Sequence, residues 1–173
     1  MMKYEIRRLH SSEVDAALDL AMATYLAFEA PDYGPEGVTT FRRDIYDNEA
    51  FRAACLDGTN RMWGALEHGR IIGMMAMRGE SHIVLVFTHR DYHRQGVASA
   101  ILQALLNDVR RENPTLRRLT LNSSPYGLPF YLHAGFKPAD AEKTINGIRF
   151  TAMTYDLYTE QSASTDGCGH TKE

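Results

Sequence analysis

The sequence has only two cysteines among 173 residues, Cys55 and Cys168, and neither has a second cysteine at close spacing. That excludes a disulfide framework and a paired-cysteine metal site. Cys168 and His170 lie in a polar tail with too few neighbouring ligands to hold zinc, so no metal is expected. No apolar run approaches the roughly 20 residues that span a bilayer. Met1 to Arg8 alternates polar and apolar residues instead of presenting the apolar core of a signal peptide. The expected location is the cytoplasm, with both thiols free. Positive charge is not in excess either: 19 Lys+Arg stand against 22 Asp+Glu, a formal net charge of −3. A nucleic-acid binder usually carries a basic face, so neither nucleic acid nor a membrane is an expected partner. What is present is an ordinary composition, 44% hydrophobic and 24% charged, without internal repeats. The length suits one domain with a real core.

Periodicity outlines that domain as residues 1–158. Tyr4 and Ile6 alternate with charge, so 3–9 reads as a strand. Ser12 and Asp15 resemble a capping box. Val14, Leu18, Met22 and Tyr25 then mark a helix that ends before Pro31. Turn chemistry makes 31–37 a loop. Phe41, Ile45 and Phe51 suggest a second, irregular helical stretch ending near Gly58. Strands at 61–67 and 70–77 flank a hairpin connection at Glu67-His68-Gly69. The run Ile83 to Phe87 reads as a strand buried on both faces. Val97, Ile101, Leu102, Leu105, Leu106 and Val109 form one face of a helix over 97–112, stopping at Asn113-Pro114. A strand at Leu119 and Leu121, a short helix from Leu128 to His133 capped by Gly135, and a strand over 148–157 complete the order β-α-α-β-β-β-α-β-α-β-β. This is a mixed α/β (α+β) domain. Residues 159–173 are polar and small, and are expected to be disordered.

Between the strand at 82–88 and the helix at 97 lies His89-Arg90-Asp91-Tyr92-His93-Arg94-Gln95-Gly96. Gly96 permits a close approach of ligand to backbone. Ala98 and Ser99 are small, and a helix start offers unpaired N–H groups with partial positive charge. Together these suit a pyrophosphate, with four basic side chains adding positive potential. A plain turn with solvated basic residues would have the same sequence.

The run from Ile83 to Phe136 resembles the GNAT superfamily of acyl-CoA-dependent N-acyltransferases. Its cofactor loop, Arg/Gln-x-x-Gly-x-Gly/Ala, is matched by His93-Arg94-Gln95-Gly96-Val97-Ala98, with His93 departing at the first position. Its later Phe-Tyr-x-x-x-Gly-Phe is matched by Phe130-Tyr131-Leu132-His133-Ala134-Gly135-Phe136. The resemblance implies a GNAT-like fold and acetyl-CoA as co-substrate. It implies that Val86, Phe87 and Thr88 pair with the pantetheine arm through their backbone. It also implies that Arg94, Gln95, Gly96, Val97, Ala98 and Ser99 hold the pyrophosphate.

Amide formation from a thioester needs a base for the ammonium and an acid for the departing sulfur. By resemblance, Tyr131 is the acid, although a core aromatic would also fit there. His82, at the start of the strand into the cofactor loop, is the candidate base, directly or through a water; a solvent-facing histidine is the alternative, and Glu80 lies nearby. Asn122 could bond to substrate or pantetheine, or belong to a turn. In this fold the first two helices usually wall the acceptor site; that segment holds Phe28, Glu29, Asp32, Tyr33, Glu36 and Phe41, of which Phe28, Tyr33 and Glu36 are the expected substrate contacts. A solvated loop would carry similar residues. The leading expectation is acetyl transfer to a small-molecule or peptide amine. The competing one is an acyl-CoA-binding sensor without turnover, and transfer to a hydroxyl or of a longer acyl chain stays open. The family often forms homodimers, which leaves oligomeric state open as well.

Overall fold

Residues 3–158 are described by a computed structural model; the expectation for 159–173 lies outside them. The chain runs β1 (Glu5–Arg8), α1 (Val14–Phe28), α2 (Ala30–Phe41), α3 (Glu49–Asp57), β2 (Met62–Glu67), β3 (Arg70–Arg78) and β4 (His82–Thr88). It continues through α4 (Val97–Glu112), β5 (Arg118–Ser123), α5 (Leu128–Ala134), β6 (Lys137–Pro138), β7 (Lys143–Ile145) and β8 (Ile148–Asp156). The strands form one mixed, mostly antiparallel sheet in the order β1-β2-β3-β4-β5-β8-β6, with β7 paired to β8. The α/β class expected from the sequence holds, with one more helix and one more strand than its order string. No helix among the described residues is long and apolar enough to cross a membrane.

Two cores flank the sheet. The apolar face of α4 packs with Trp63, Leu119 and Met153 on one side, and all six of its expected core residues are buried. Each such side chain contributes roughly 1.5–3 kcal/mol of transfer free energy. Their sum is enough to seat the helix firmly while leaving its N-terminus free for other use. On the other side α1, with Val14, Leu18, Met22 and Tyr25 buried, packs with Phe41, Leu85 and Phe87.

Local corrections follow from competing geometry. The expected loop at 31–37 is part of α2, broken only at Gly34 (φ 72°, ψ −172°). Pro31 and Pro35 each open a helical segment, where a missing N–H costs nothing. The reciprocal cap before α1 belongs to His10 and Glu13, whose carboxylate accepts the His10 N–H at 2.9 Å. Asp15 instead accepts from Arg52 at 2.7 Å. The turn at His68-Gly69 has both φ angles positive, 49° and 76°, as a tight hairpin requires.

Strand β4 departs from the expected run buried on both faces. Leu85 stands opposite Ala76 and Ile83 opposite Met77, which leaves Val84 as the extra residue of a bulge. The bulge turns Ile83 toward the α4 core and Leu85 and Phe87 toward the α1 core, while Val84 and Val86 remain half-buried. Strand β4 pairs with its parallel neighbour β5 only at His82–Thr120 and Ile83–Leu121. Beyond Ile83 the two strands part, so the backbone of β4 from Val84 to Thr88 has no strand partner on that edge.

Candidate active site

Two adjoining cavities open where β4 and β5 separate, one of about 700 Å³ and one of about 380 Å³. They share Glu29, Val86, Phe87, Ser124 and Tyr131.

The larger cavity is built for an extended, anionic ligand. Val86, Phe87 and Thr88 line it with the unpaired strand edge, so an extended amide-bearing arm can add to the sheet there. At its far end α4 begins on Gly96, in the left-handed region (φ 79°), with no side chain capping the helix. The N–H groups of Val97, Ala98 and Ser99 precede the first intrahelical bond, Ala100 N–H to Gly96 C=O at 3.0 Å. Arg94 is also at positive φ (60°), which bends the loop ahead of the helix. Arg94, Gly96, Val97, Ala98 and Ser99 all line this cavity. Gln95 does not; its side-chain amide donates to the Asp91 carbonyl at 3.0 Å.

His93, the departure from the family loop, has its own task. Its Nε2–H donates to the Thr88 carbonyl at 2.7 Å, and its Nδ1 lies 3.3 Å from the Tyr126 hydroxyl. Phe28 packs on both rings, 4.7 Å from His93 and 5.5 Å from Tyr126. Phe28 thus lines the larger cavity and not the smaller one, contrary to its expected place among acceptor contacts.

The smaller cavity lies between α1–α2, β4, β5 and the β7–β8 hairpin, lined by Tyr25, Tyr33, Phe41, Arg78, His82 and Asn122 among others. Two glycines let α2 and the hairpin meet: a Cβ on Gly37 would stand 2.9 Å from the Gly147 carbonyl. The Thr40 hydroxyl ties the same two elements, donating to the Asn146 carbonyl at 2.6 Å. Tyr33 lines this cavity from α2. Glu36 is exposed and packs at the Gly147 turn, outside the cavity lining. Asn122 lines this cavity and not the larger one. His82 bonds through Nδ1 to the Thr120 hydroxyl at 2.8 Å. Burial and the Arg78 guanidinium push its pKa down, so it is neutral at pH 7. Glu80 is exposed and turned toward Asn113, 3.5 Å away, which removes it from the site.

Tyr131 stands at the junction. It is 9% exposed, with Phe130 and Phe136 edge-on to its ring at 5.3 and 5.6 Å. Burial raises its phenol well above the usual range, so it holds its proton throughout the neutral range. The residue missing from the expected site set is Glu29. It closes α1 and opens α2, and burial pushes its carboxyl up to about 7. The dipole of α1 disfavours a carboxylate there and that of α2 favours it, so no local signal in the sequence singles Glu29 out. No group of three or more potential metal ligands occurs among the described residues.

By sequence, the chain matches no curated protein. Its fold matches a GCN5-related N-acetyltransferase structure from Rhodopseudomonas palustris at 23% identity, over 90% of this chain and 97% of that one, with a TM-score of 0.75. It matches the PaiA N-acetyltransferase of Thermoplasma acidophilum, in complex with coenzyme A, at 18% identity over 90% and 99%, TM-score 0.74. The ribosomal-protein-S18-alanine N-acetyltransferase of Escherichia coli matches at 16% identity over 92% and 97%, TM-score 0.61. Residues 29–157 match the family described as "Acetyltransferase (GNAT) domain". With the parted strands, the glycine-initiated helix and the junction tyrosine all within that span, the chain belongs to the GNAT family of acetyltransferases.

Proposed function

We propose that this protein is a cytoplasmic N-acetyltransferase that moves an acetyl group from acetyl-CoA to a primary amine by direct attack. The observation that carries the reading is the meeting of two cavities at Tyr131. One offers an unpaired strand edge and an uncapped helix start, features that suit pantetheine and pyrophosphate. The coenzyme A held by the Thermoplasma acidophilum relative supports that ligand class. The other cavity approaches the same point from the opposite wall and suits the acceptor.

In this reading the amine nitrogen attacks the thioester carbon, the C–N bond forms and the C–S bond breaks. The sulfur takes the Tyr131 hydroxyl proton, and the phenolate is refilled by the proton leaving the amide nitrogen. A group in the acceptor cavity must first neutralise the ammonium. His82, or a water it orients, is the base that the sequence suggests, and its neutral ring can accept a proton.

The test is free-thiol release from acetyl-CoA across a panel of amines. Release with at least one amine supports the reading. Tight acetyl-CoA binding with no release on any acceptor favours a sensor instead, and no binding of any acyl-CoA overturns the reading altogether.

A further inference from the structure

Resting on that reading, we infer that Glu29 is the proton acceptor of the transfer, and that its carboxylate, with the ring of Tyr33, holds the acceptor as a primary alkylammonium ion. Position separates Glu29 from His82. Glu29 lines both cavities together with Tyr131, so it borders the point where thioester and amine must meet. His82 lines only the acceptor cavity, four residues before Val86 on the same strand. His82 therefore does not border the residues that the two cavities share.

The surroundings specify a cation. Tyr25 is 1% exposed, and its hydroxyl is buried without a hydrogen-bond partner among the described residues. It lines the acceptor cavity with Tyr33, whose ring centroid is 5.9 Å away. The Tyr25 ring is stacked on Phe41 at 4.1 Å, so Tyr25 backs the cavity wall and the half-buried Tyr33 is the ring within reach of a ligand. Aromatic faces beside a carboxylate favour an ammonium. Nearest to Glu29 are Tyr25 on α1, Asp32 and Tyr33 on α2, Ser124 after β5 and Tyr131 on α5; Asp44, Arg78 and His82 also line the acceptor cavity, and Tyr92, His93, Arg94, Tyr126 and His133 the larger one. The negative charge of Glu29 helps to hold all three phenols protonated. The Ser124 hydrogen bond offsets part of the desolvation of the half-buried Glu29 carboxylate, and a bound ammonium offsets more, so substrate binding favours the ionised form of Glu29.

The proton count closes. Glu29 takes one proton from the ammonium and later gives it to solvent. The nitrogen's second proton restores Tyr131, and the Tyr131 proton ends on the sulfur.

The experiment compares wild type, Glu29→Gln and His82→Asn as full chains, using acetyl-CoA and primary alkylamines as probes. It reads thiol release from pH 5.5 to 9 and acetyl-CoA affinity by calorimetry. The expected wild-type kcat/KM falls below pH about 7, and this limb moves lower in kcat because bound ammonium keeps Glu29 ionised. Glu29→Gln should lose on the order of 10²-fold in kcat/KM and the limb with it, with acetyl-CoA affinity within about threefold of wild type. His82→Asn should keep the limb. If wild type binds acetyl-CoA but releases no thiol with any amine, the proposed function fails and takes this inference with it. If wild type is active and Glu29→Gln keeps the limb, whatever its rate, the inference alone fails. Loss of the limb in His82→Asn instead makes His82 the base.

Discussion

Glu29 and Tyr131 are the two titratable side chains, among the described residues, that line both cavities. One comes from the end of α1 and the other from α5, 102 positions apart in the sequence (131 − 29). Each has its neutral form favoured by burial, but for opposite uses. A carboxyl near 7 is poised to gain or lose a proton at working pH, whereas a phenol well above its usual range can only donate.

Tyr131→Phe should lower kcat on the order of 10²-fold while leaving acetyl-CoA affinity nearly unchanged. The ring is held by Phe130 and Phe136, and phenylalanine keeps that packing. Steady-state kinetics with calorimetry checks it. A collapse of affinity with turnover surviving at saturation would make Tyr131 structural.

Glu29→Gln should trade activity for stability in a defined pH window. The folded-state pKa of Glu29 is raised from 4.5 to about 7, so the folded protein holds this proton more tightly than the unfolded chain. That contribution is fully present below pH about 4.5 and is lost as pH rises through about 7. Glutamine does not ionise and keeps it. Urea melts should therefore show the variant more stable than wild type by about 1–3 kcal/mol at pH 8, and nearly equal at pH 4.5. Equal stability at both pH values would show that Glu29 is not held in a desolvating site.

Gly127→Ala should act on the chemistry, not on the fold. Gly127 has ordinary helical angles (φ −82°, ψ −15°), so alanine costs the backbone nothing and gains a few tenths of a kcal/mol in entropy. Its Cβ would lie 3.0 Å from the Tyr131 ring carbon Cε2 and 3.2 Å from the Ser124 hydroxyl, so the ring must shift. The expected result is a reduced kcat with a melting temperature close to wild type.

Gly96→Ala and Gly69→Ala form a matched pair. Both glycines have positive φ, 79° and 76°, and neither Cβ would meet an atom within 4 Å. Each substitution should cost about 1–2 kcal/mol of backbone strain. Only Gly96→Ala should also weaken acetyl-CoA binding, because a side chain there enters the space over the first turn of α4. Equal affinities in both variants would place the phosphates elsewhere.

Much of the scaffold was legible locally. The 3.6-residue period of Val97 to Val109 and the hairpin connection at His68-Gly69 are short-range signals, and the structure follows them. The glycine ahead of α4 was equally plain, since a backbone angle that suits glycine and an open first turn are properties of a few adjacent residues. Segment 31–37 misled because proline and glycine mark both loops and helix starts, and only packing against the β7–β8 hairpin selects between them.

The site was legible in its parts and hidden in its assembly. Tyr131 and the loop Arg94 to Ser99 stand out by motif. Glu36 and Glu80 also look suitable in sequence, yet both face outward. The bulge at Val84 and the early parting of β4 from β5 depend on register between strands distant in the chain, which residue type does not encode. The same holds for Glu29. A glutamate at a helix end is ordinary until α2, β5 and α5 close around it, and desolvation, a property of the surrounding atoms, is what brings its carboxyl to the pH of the reaction.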